Sequence, residues 1–236
     1  MYTYIYAACL QKNKHEDTLA AIETNLSIYG IGGDIRRLSN FLTLEGVARD
    51  ILKRKGATAV VVGDDATFLD TVNLLAGSRA VLGYIPVGES HYSWTLGLPS
   101  GEKACEVIAA RRIELVDLGC LRKRYFLESA YTEHPVRIRL RCPDFFLETK
   151  SKMNFCAANL GFGNPFDGKV EAIIFKKSFW GKEWNIFASV PVEECYLEGV
   201  EKTSLILDQC KRVVCAPEIT VARRMLQLIV GKGRKF

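Results

Sequence analysis

The feature that most constrains the fold is a short apolar run, ATAVVV, at residues 57–62. An apolar run rich in β-branched residues and without polar alternation is typical of a parallel strand buried on both faces by helices. A polar turn, GDDAT, follows at residues 63–67, and the helical pattern FLDTVNLLAG comes next. Strand, turn and helix in this order predict one repeat of an α/β fold.

The same order continues on both sides of this repeat. Residues 1–8 read as a strand, and residues 15–28 and 43–55 read as amphipathic helices. Downstream, AVLGYIPVG reads as a second buried strand, residues 102–111 as a helix and IELVDLG as another strand. This succession predicts an α/β domain with a doubly wound, mostly parallel sheet over residues 1–119.

The pattern changes after Gly119. Short apolar runs separated by turn residues follow one another, among them YFLESA, VRIRLR, NFCAANL, KVEAIIF and SLILD. Several short strands at even spacing predict an antiparallel sheet structure. We therefore expect a β-rich domain of the antiparallel β-sandwich type over residues 120–236.

Composition narrows the functional classes. Hydrophobic residues make up 48% of the chain and charged residues 25%, which excludes disorder as the main state. A formal charge of +5 is a mild basic excess that does not require a nucleic-acid partner. Eight cysteines without a CxxC pair favour reduced thiols over zinc or disulfides, and the N-terminus reads as a strand rather than a signal peptide. These features predict a cytoplasmic location.

The turn at residues 63–67 is the first candidate site. The crevice beyond the carboxyl ends of parallel strands is where open α/β sheets bind ligands, and helix N-terminal amides favour phosphate. Gly63 would then permit close approach, Asp65 would orient a nucleotide-bound metal, and the Thr67 hydroxyl would face phosphate. The alternative is a plain strand-to-helix turn in which Asp and Thr act as N-caps.

Four further segments in a fixed order favour the functional interpretation. After GDDAT the chain carries FLDTV, YIPVGES, LGLP and VDLG. In this order residues 57–119 resemble the nucleotide-binding half of the diacylglycerol kinase catalytic family, which includes bacterial lipid kinases and is related to the NAD kinases. In the second half, NFCAANLGFGNPFDGKVEAIIF and SLILDQC resemble the later family segments more weakly.

The resemblance implies ATP and Mg²⁺ as cofactors and a lipid hydroxyl as phosphoryl acceptor. The implied nucleotide-binding residues are Gly63, Asp64, Ala66, Thr67, Gly88, Glu89 and Ser90. The implied metal ligands are Asp65, Asp167 and Asp208, and the implied catalytic positions are Asp65, Asp208 and Cys210.

The resemblance also bears on partners and location. The expected partners are a nucleotide and a lipid or membrane surface. The protein would then be cytoplasmic or peripheral at the membrane. A homo-oligomer is left open. Trp180 and Trp184, beside lysines, fit either an anchor at a membrane interface or a hairpin with packed aromatic rings.

Several departures from the family pattern bear on catalysis. Asp64 and Ala66 replace glycines of the phosphate turn, and a residue with a side chain is strained where φ is positive. Cys210 stands where the family has its carboxylate base, and a thiol with a pKa of about 8.5 is a poor proton acceptor at neutral pH. The departures predict weak lipid phosphorylation. The alternatives are a catalytically impaired module that binds nucleotide or lipid and, less favoured, an NAD kinase.

Overall fold

The computed structural model of the chain describes residues 1–11, 15–177, 184–198, 204–214 and 218–236, so Trp180 and Cys215 lie outside the described part. The chain forms two units: Met1–Val116 with Arg224–Lys235, and Asp117–Arg223 with Phe236. Residues 224–235 thus belong to the first unit, whereas the sequence pattern placed them in the second domain.

The first unit is an α/β structure. Its helices are α1 (Glu16–Ile28), α2 (Leu44–Leu52), α3 (Asp65–Leu75), α4 (Tyr92–Leu96) and α5 (Ala104–Ala110), with short 3-10 helices at Ala8–Gln11 and Gly101–Lys103. Its strands are β1 (Tyr2–Tyr6), β2 (Asp34–Arg37), β3 (Thr58–Gly63), β4 (Val81–Pro86) and the final part of β16 (Glu218–Ile229). These strands are parallel, in the order β2-β1-β3-β4-β16.

Helices cover both faces of this sheet. Every residue of β3 is buried, which is why its sequence is apolar without alternation. On one face, Val60 and Val62 pack in a core with α1 and α5. On the other face, the Phe68 ring of α3 stacks on the Tyr84 ring of β4 at a centroid distance of 4.5 Å.

One strand of the parallel sheet was missed by the sequence analysis, and another was assigned to the wrong domain. β2 reads DIRR and is at most half-buried, because it lies at the edge of the sheet and lacks the apolar pattern of a covered strand. β16 was read as part of the β-rich domain, yet its final part pairs parallel with β4, with Gln227 opposite Val81. The strand IELVDLG became β5 (Ile113–Leu121), whose carboxyl end pairs antiparallel with a neighbouring strand of the second unit.

The second unit is built from strands. They are β6 (Arg124–Phe126), β7 (Ser129–Thr132), β8 (Arg139–Arg141), β9 (Phe146–Glu148), β10 (Asn154–Ala158), β11 (Val170–Lys177), β12 (Trp184–Val192), β13 (Glu194–Glu198), β14 (Ser204–Leu207) and β15 (Lys211–Val214). One antiparallel sheet has the order β12-β11-β10-β7-β14-β15. The first part of β16 pairs with β13, followed by β8 and β9, also antiparallel. The predicted fold class, an α/β sheet followed by antiparallel strands, is confirmed.

Two further facts concern thiols and membranes. Among the residues that the structure describes, no disulfide bond is formed by Cys9, Cys105, Cys120, Cys142, Cys156, Cys195 or Cys210. Among the described helices, none has both the length and the apolar character needed to cross a bilayer.

Candidate functional site

Two polar turns lie together at the carboxyl ends of β3 and β4 in the first unit. One is the GDDAT turn after β3, and the other comprises residues 87–91 after β4. The N–H of Val87 donates to the carbonyl oxygen of Gly63 at 2.9 Å, so the backbones of the two turns are directly joined. This arrangement follows from parallel pairing, since Gly63 is opposite Pro86 in the register.

The Asp65 carboxylate holds the two turns to each other. Its Oδ1 accepts hydrogen bonds from the Tyr84 hydroxyl at 2.8 Å and the Ser90 hydroxyl at 2.6 Å. Its Oδ2 accepts from the backbone N–H of His91 at 2.8 Å. We call this group of four residues the Asp65 clip. Three of the roughly four acceptor positions of a carboxylate are therefore in use inside the protein.

Tyr84 supports the clip from beneath. Its hydroxyl also approaches the carbonyl oxygen of Gly63 at 3.1 Å, and its ring is buried against Phe68. Burial and the nearby Asp65 charge raise the pKa of Tyr84 well above its usual value. The phenol therefore stays protonated and serves as a permanent donor to Asp65.

Gly63 is required by close packing at the end of β3. Its φ is +145°, and an added Cβ would lie 2.4 Å from the Cβ of Ala7. No side chain fits there without displacement of the residue that follows β1. The close approach that the sequence suggested for Gly63 is thus made to the protein's own backbone turn.

Asp64 is the N-cap of α3, as the simpler interpretation of the turn held. Its carboxylate accepts from the N–H of Thr67 at 2.7 Å. Burial raises the pKa of Asp64, but hydrogen bonds from the Cys9 thiol and from the N–H and hydroxyl of Thr67 outweigh burial and hold the pKa below its usual value. Because Asp64 stays ionised, a negative charge already occupies part of the α3 N-terminus, where phosphate was expected.

Ala66 causes no strain. It lies in the first turn of α3 and is exposed. Its φ is not positive, so its side chain meets no backbone strain. The expectation that alanine would be unfavourable at this position is therefore wrong, because a helix favours alanine over glycine.

The second turn is the more open of the two. Gly88 is exposed with a φ of +94°, and no heavy atom in the described part of the chain would lie within 4 Å of a Cβ added there. The Ser100 hydroxyl, within 3.1 Å of the carbonyl oxygens of both Pro86 and Gly88, holds the turn from behind. Glu89 is exposed and Ser90 half-buried. Backbone N–H groups of such a turn are suited to anionic oxygen atoms.

In the second unit, Asp208 is a structural anchor. It is 4% exposed, and its carboxylate accepts three backbone N–H groups, from Leu127 at 2.8 Å, Glu128 at 2.7 Å and Ser129 at 3.0 Å. Burial raises the pKa of Asp208 to about 6 in spite of these hydrogen bonds. The carboxylate thus ties the β14–β15 turn to the start of β7.

This anchor predicts a pH dependence of stability. Because the pKa of native Asp208 lies above that of the unfolded chain, the native state binds the proton more tightly, and the free energy of unfolding should fall as pH rises from about 4 to about 6. At about 1.4 kcal/mol per pKa unit, the loss is up to about 3 kcal/mol. Urea unfolding across this range measures it.

Asp208→Asn should remove the slope, because the amide does not ionise. Above about pH 6 it should also cost about 1–3 kcal/mol, since its NH2 group would meet the N–H of Leu127. The cost should be larger near pH 4, where the unchanged protein keeps the full contribution of its protonated carboxyl group. Asp144→Asn, at an exposed carboxylate, is the matched control and should keep the slope. An unchanged slope in Asp208→Asn would assign the effect to other groups.

Cys210 follows in the same turn and is exposed. Its N–H donates to the carbonyl oxygen of Leu207 at 3.0 Å, which closes the turn between β14 and β15. Asp208 and Gln209 have φ values of +49° and +58°, a conformation that favours glycine. Gln209 stands where the family pattern has glycine, and it adopts its positive φ at a local energetic cost.

Asp167 lies in the loop between β10 and β11, where its Oδ1 accepts the N–H of Lys169 at 2.9 Å. Next to it, the N–H of Gly168 donates to the buried carboxylate of Asp117 at 2.7 Å. The side-chain NH2 of Asn159 donates to the carbonyl oxygens of Asp117 and Leu127 at 2.9 and 2.8 Å. The Asn and Asp-Gly positions of this segment therefore organise the loop.

These contacts do not assemble a protein-built magnesium site. Among the residues that the structure describes, no three histidine, cysteine, aspartate or glutamate side chains form a group that could hold a metal ion. Asp65 and Asp208 are each engaged by three donors, and Asp167 accepts from its own loop. The metal-ligand role of the three aspartates stays a prediction.

Sequence reasoning missed the residues that complete the clip and its support. Tyr84 lies in an apolar strand whose pattern only indicated burial, and Ser100 lies 14 and 12 residues after Pro86 and Gly88, whose carbonyl oxygens it contacts. The resemblance pointed to the turns themselves but to neither of these donors. The parallel register of β3 and β4 would have placed Tyr84 near Gly63.

Comparison with known proteins agrees with the motif order. Residues 8–121 match the family model described as "Diacylglycerol kinase catalytic domain". A crystal structure described as a diacylglycerol kinase from Bacillus anthracis str. Sterne is 17% identical, with a TM-score of 0.78, and the match covers 98% of this chain and 97% of that one. Two more structures from the same organism match at 14% and 15% identity, with TM-scores of 0.76 and 0.77. They cover 98% of this chain and 97% and 96% of their own. No curated protein matches.

Proposed function

We propose that this chain, whose residues 8–121 belong to the diacylglycerol kinase catalytic family, binds ATP through its first unit and phosphorylates a lipid hydroxyl slowly. The Asp65 clip is the observation that carries the proposal. It fixes two turns at the carboxyl ends of β3 and β4, where α/β sheets bind ligands. Because the Asp65 carboxylate accepts three hydrogen bonds from the protein, its role in this proposal is to position the backbone of the two turns.

The open turn at Gly88 is where this proposal places the phosphates. A Cβ added to Gly88 would have no heavy atom of the described residues within 4 Å, so the backbone there can be approached closely, and Ser100 holds the turn in place. The capped N-terminus of α3 contributes less to the binding of phosphate, because the ionised Asp64 carboxylate repels it. Mg²⁺, if it accompanies ATP, would be held chiefly by phosphate oxygens, as is usual for this ion.

Slow turnover follows from position 210. Transfer forms a bond between the lipid hydroxyl oxygen and the γ-phosphorus, breaks the bond to ADP and releases the hydroxyl proton. A positioned base that accepts this proton typically contributes about 10²–10⁴-fold in rate. The resemblance assigns that role to position 210, where this chain has an exposed thiol.

That same thiol supports a second candidate function, a nucleotide-binding module without turnover. In that case the first unit would keep its ligand and the second would serve only for interaction. The two candidates share the nucleotide site, and they differ in whether radioactive phosphate from γ-labelled ATP appears in a diacylglycerol.

Thermal unfolding with ATP, ADP or NAD, each with and without Mg²⁺, tests the shared part. We expect ATP to raise the melting temperature, because a ligand at one hundred times its Kd stabilises a protein by about 2.7 kcal/mol. NAD should give no shift. A higher melting temperature with NAD, added without ATP, would favour the NAD kinase alternative. An unchanged melting temperature with every nucleotide would contradict the proposed site.

A further inference from the structure

An exposed aromatic surface lies at one end of the second unit. Phe162, Trp184, Ile186 and Phe187 are 67%, 42%, 51% and 58% exposed. We call these four residues, with the exposed Lys176, the aromatic tip. Exposed apolar side chains that occur singly need no explanation, but neighbouring ones mark an interaction surface.

The end of β12 stands clear of the protein core on both faces. Among the described strands β12 pairs only with β11, so it lies at the edge of its sheet, and residues 184–187 are all exposed. Successive side chains of a strand point to opposite faces, so four exposed residues in succession mean that neither face is covered. The β-bulge opposite, between Ile174 and Phe175, bends the pair at this point.

The rings of the tip are held in place. Trp184 stacks on the buried ring of Phe175 at a centroid distance of 4.3 Å and an interplanar angle of 9°. Phe162, from the loop before β11, stacks near Trp184 at 6.1 Å and 16°. A preformed aromatic stack loses little side-chain entropy when a partner covers it.

A lysine side chain lies at the aromatic tip. The Lys176 ammonium lies 5.9 Å from the centre of the Phe187 ring. On the same strand pair the Glu171 carboxylate accepts a hydrogen bond from the Ser189 hydroxyl at 2.8 Å, further from the tip. The whole chain carries a formal charge of +5. Aromatic and aliphatic side chains beside a lysine match the layered chemistry of an anionic bilayer surface.

We propose that the aromatic tip docks the protein on an anionic lipid bilayer, with Phe162, Trp184, Ile186 and Phe187 in the headgroup region and Lys176 at the lipid phosphates. The biological reason for docking on a bilayer rests on the proposed function, because the lipid that accepts the phosphate lies in such a surface. The docking itself needs no turnover. A flat dimer interface would cover one face of β12, whereas insertion into a bilayer covers both exposed faces.

Sedimentation with phospholipid vesicles tests the proposal. The full chain should bind vesicles of phosphatidylcholine with phosphatidylglycerol, bind less with phosphatidylcholine alone, and bind less as salt rises. Ile186→Ser with Phe187→Ser should weaken binding about tenfold or more. Lys176→Gln should weaken it about fivefold on the anionic vesicles only.

The double variant Phe41→Ser with Leu52→Ser is the matched control, because it removes an exposed phenylalanine and an exposed aliphatic residue from the first unit. It should bind like the unchanged protein, and circular dichroism should show both double variants folded. Equal binding by the tip variant, or no binding by the unchanged protein, would overturn the proposal. A dimer that the tip variant dissociates, without vesicle binding, would assign the surface to a second copy.

Two further assays separate this inference from the proposed function. ATP binding, followed by thermal unfolding, should be the same in the tip variant as in the unchanged protein. Phosphorylation of a short-chain, monomeric diacylglycerol without vesicles should also be unaffected by the tip variant. Vesicle binding without any phosphorylation would leave docking intact and remove the kinase activity, and the reverse result would remove docking alone.

Discussion

Gln209→Gly with Cys210→Glu is expected to raise phosphorylation of diacylglycerol by about 10²-fold or more, the contribution of a positioned base. The structure favours the change on both counts. Gln209 has a φ of +58°, which glycine adopts without a side-chain penalty. Cys210 is exposed, so a glutamate replaces it without burying a charge. The measurement is transfer of labelled phosphate from γ-labelled ATP at saturating nucleotide.

Three comparisons isolate the carboxylate. Gln209→Gly alone should raise stability by roughly 0.5–1 kcal/mol and leave the rate unchanged. Gln209→Gly with Cys210→Gln keeps the shape of glutamate without its charge and should stay slow. Cys210→Ala should also change nothing. Rapid turnover in the unchanged protein, or an equal gain from the glutamine variant, would show that the base lies elsewhere.

Asp65→Ala should unfold the two turns locally and weaken the proposed binding of ATP about 100-fold. It removes the carboxylate that accepts from the Tyr84 hydroxyl, the Ser90 hydroxyl and the His91 N–H. Hydrogen bonds to a charged acceptor contribute about 1.5–3 kcal/mol each to stability. Because these contributions are not additive, we expect the free energy of unfolding to fall by about 3 kcal/mol. Calorimetry gives the ATP affinity, and urea unfolding gives the stability.

Asp50→Ala is the control for Asp65→Ala, since Asp50 is an exposed carboxylate of the first unit that pairs with Lys53 on the same surface. It should leave ATP affinity and stability unchanged. Asp65→Asn should have an ATP affinity and a stability between those of Asp65→Ala and Asp50→Ala. The asparagine amide keeps one acceptor oxygen, but its NH2 group faces the N–H of His91. ATP affinity that survives Asp65→Ala would move the binding site away from these turns.

The part of the fold that sequence could predict is the part where burial determines residue type. The run ATAVVV is apolar because β3 is covered on both faces, so a parallel strand buried on both faces could be predicted there. β2 was not readable, because an edge strand of two arginines, an aspartate and an isoleucine carries no such constraint. The late strand β16 was seen but misassigned, since strand patterns do not encode which sheet a strand joins.

The site shows the same division. Motif order indicated the two turns, and the N-cap geometry of Asp64 was readable from its position before a helix. The role of Asp65 as acceptor for Tyr84 and Ser90 was not, because those donors lie 19 and 25 residues away in sequence. Hydrogen bonds across such separations depend on strand register, and a single sequence does not specify register directly.

The placement of β16 has a consequence for how the chain is made. The parallel sheet gains its fifth strand from residues near 227, and the N–H of Gly77 also donates to the carbonyl oxygen of Met225 at 2.8 Å. During synthesis β4 therefore emerges about 140 residues before its outer neighbour, and its edge stays bare while the whole second unit is translated. Native completion of the first unit is a late, long-range event, which slows folding and leaves an apolar strand edge open to self-association on the ribosome.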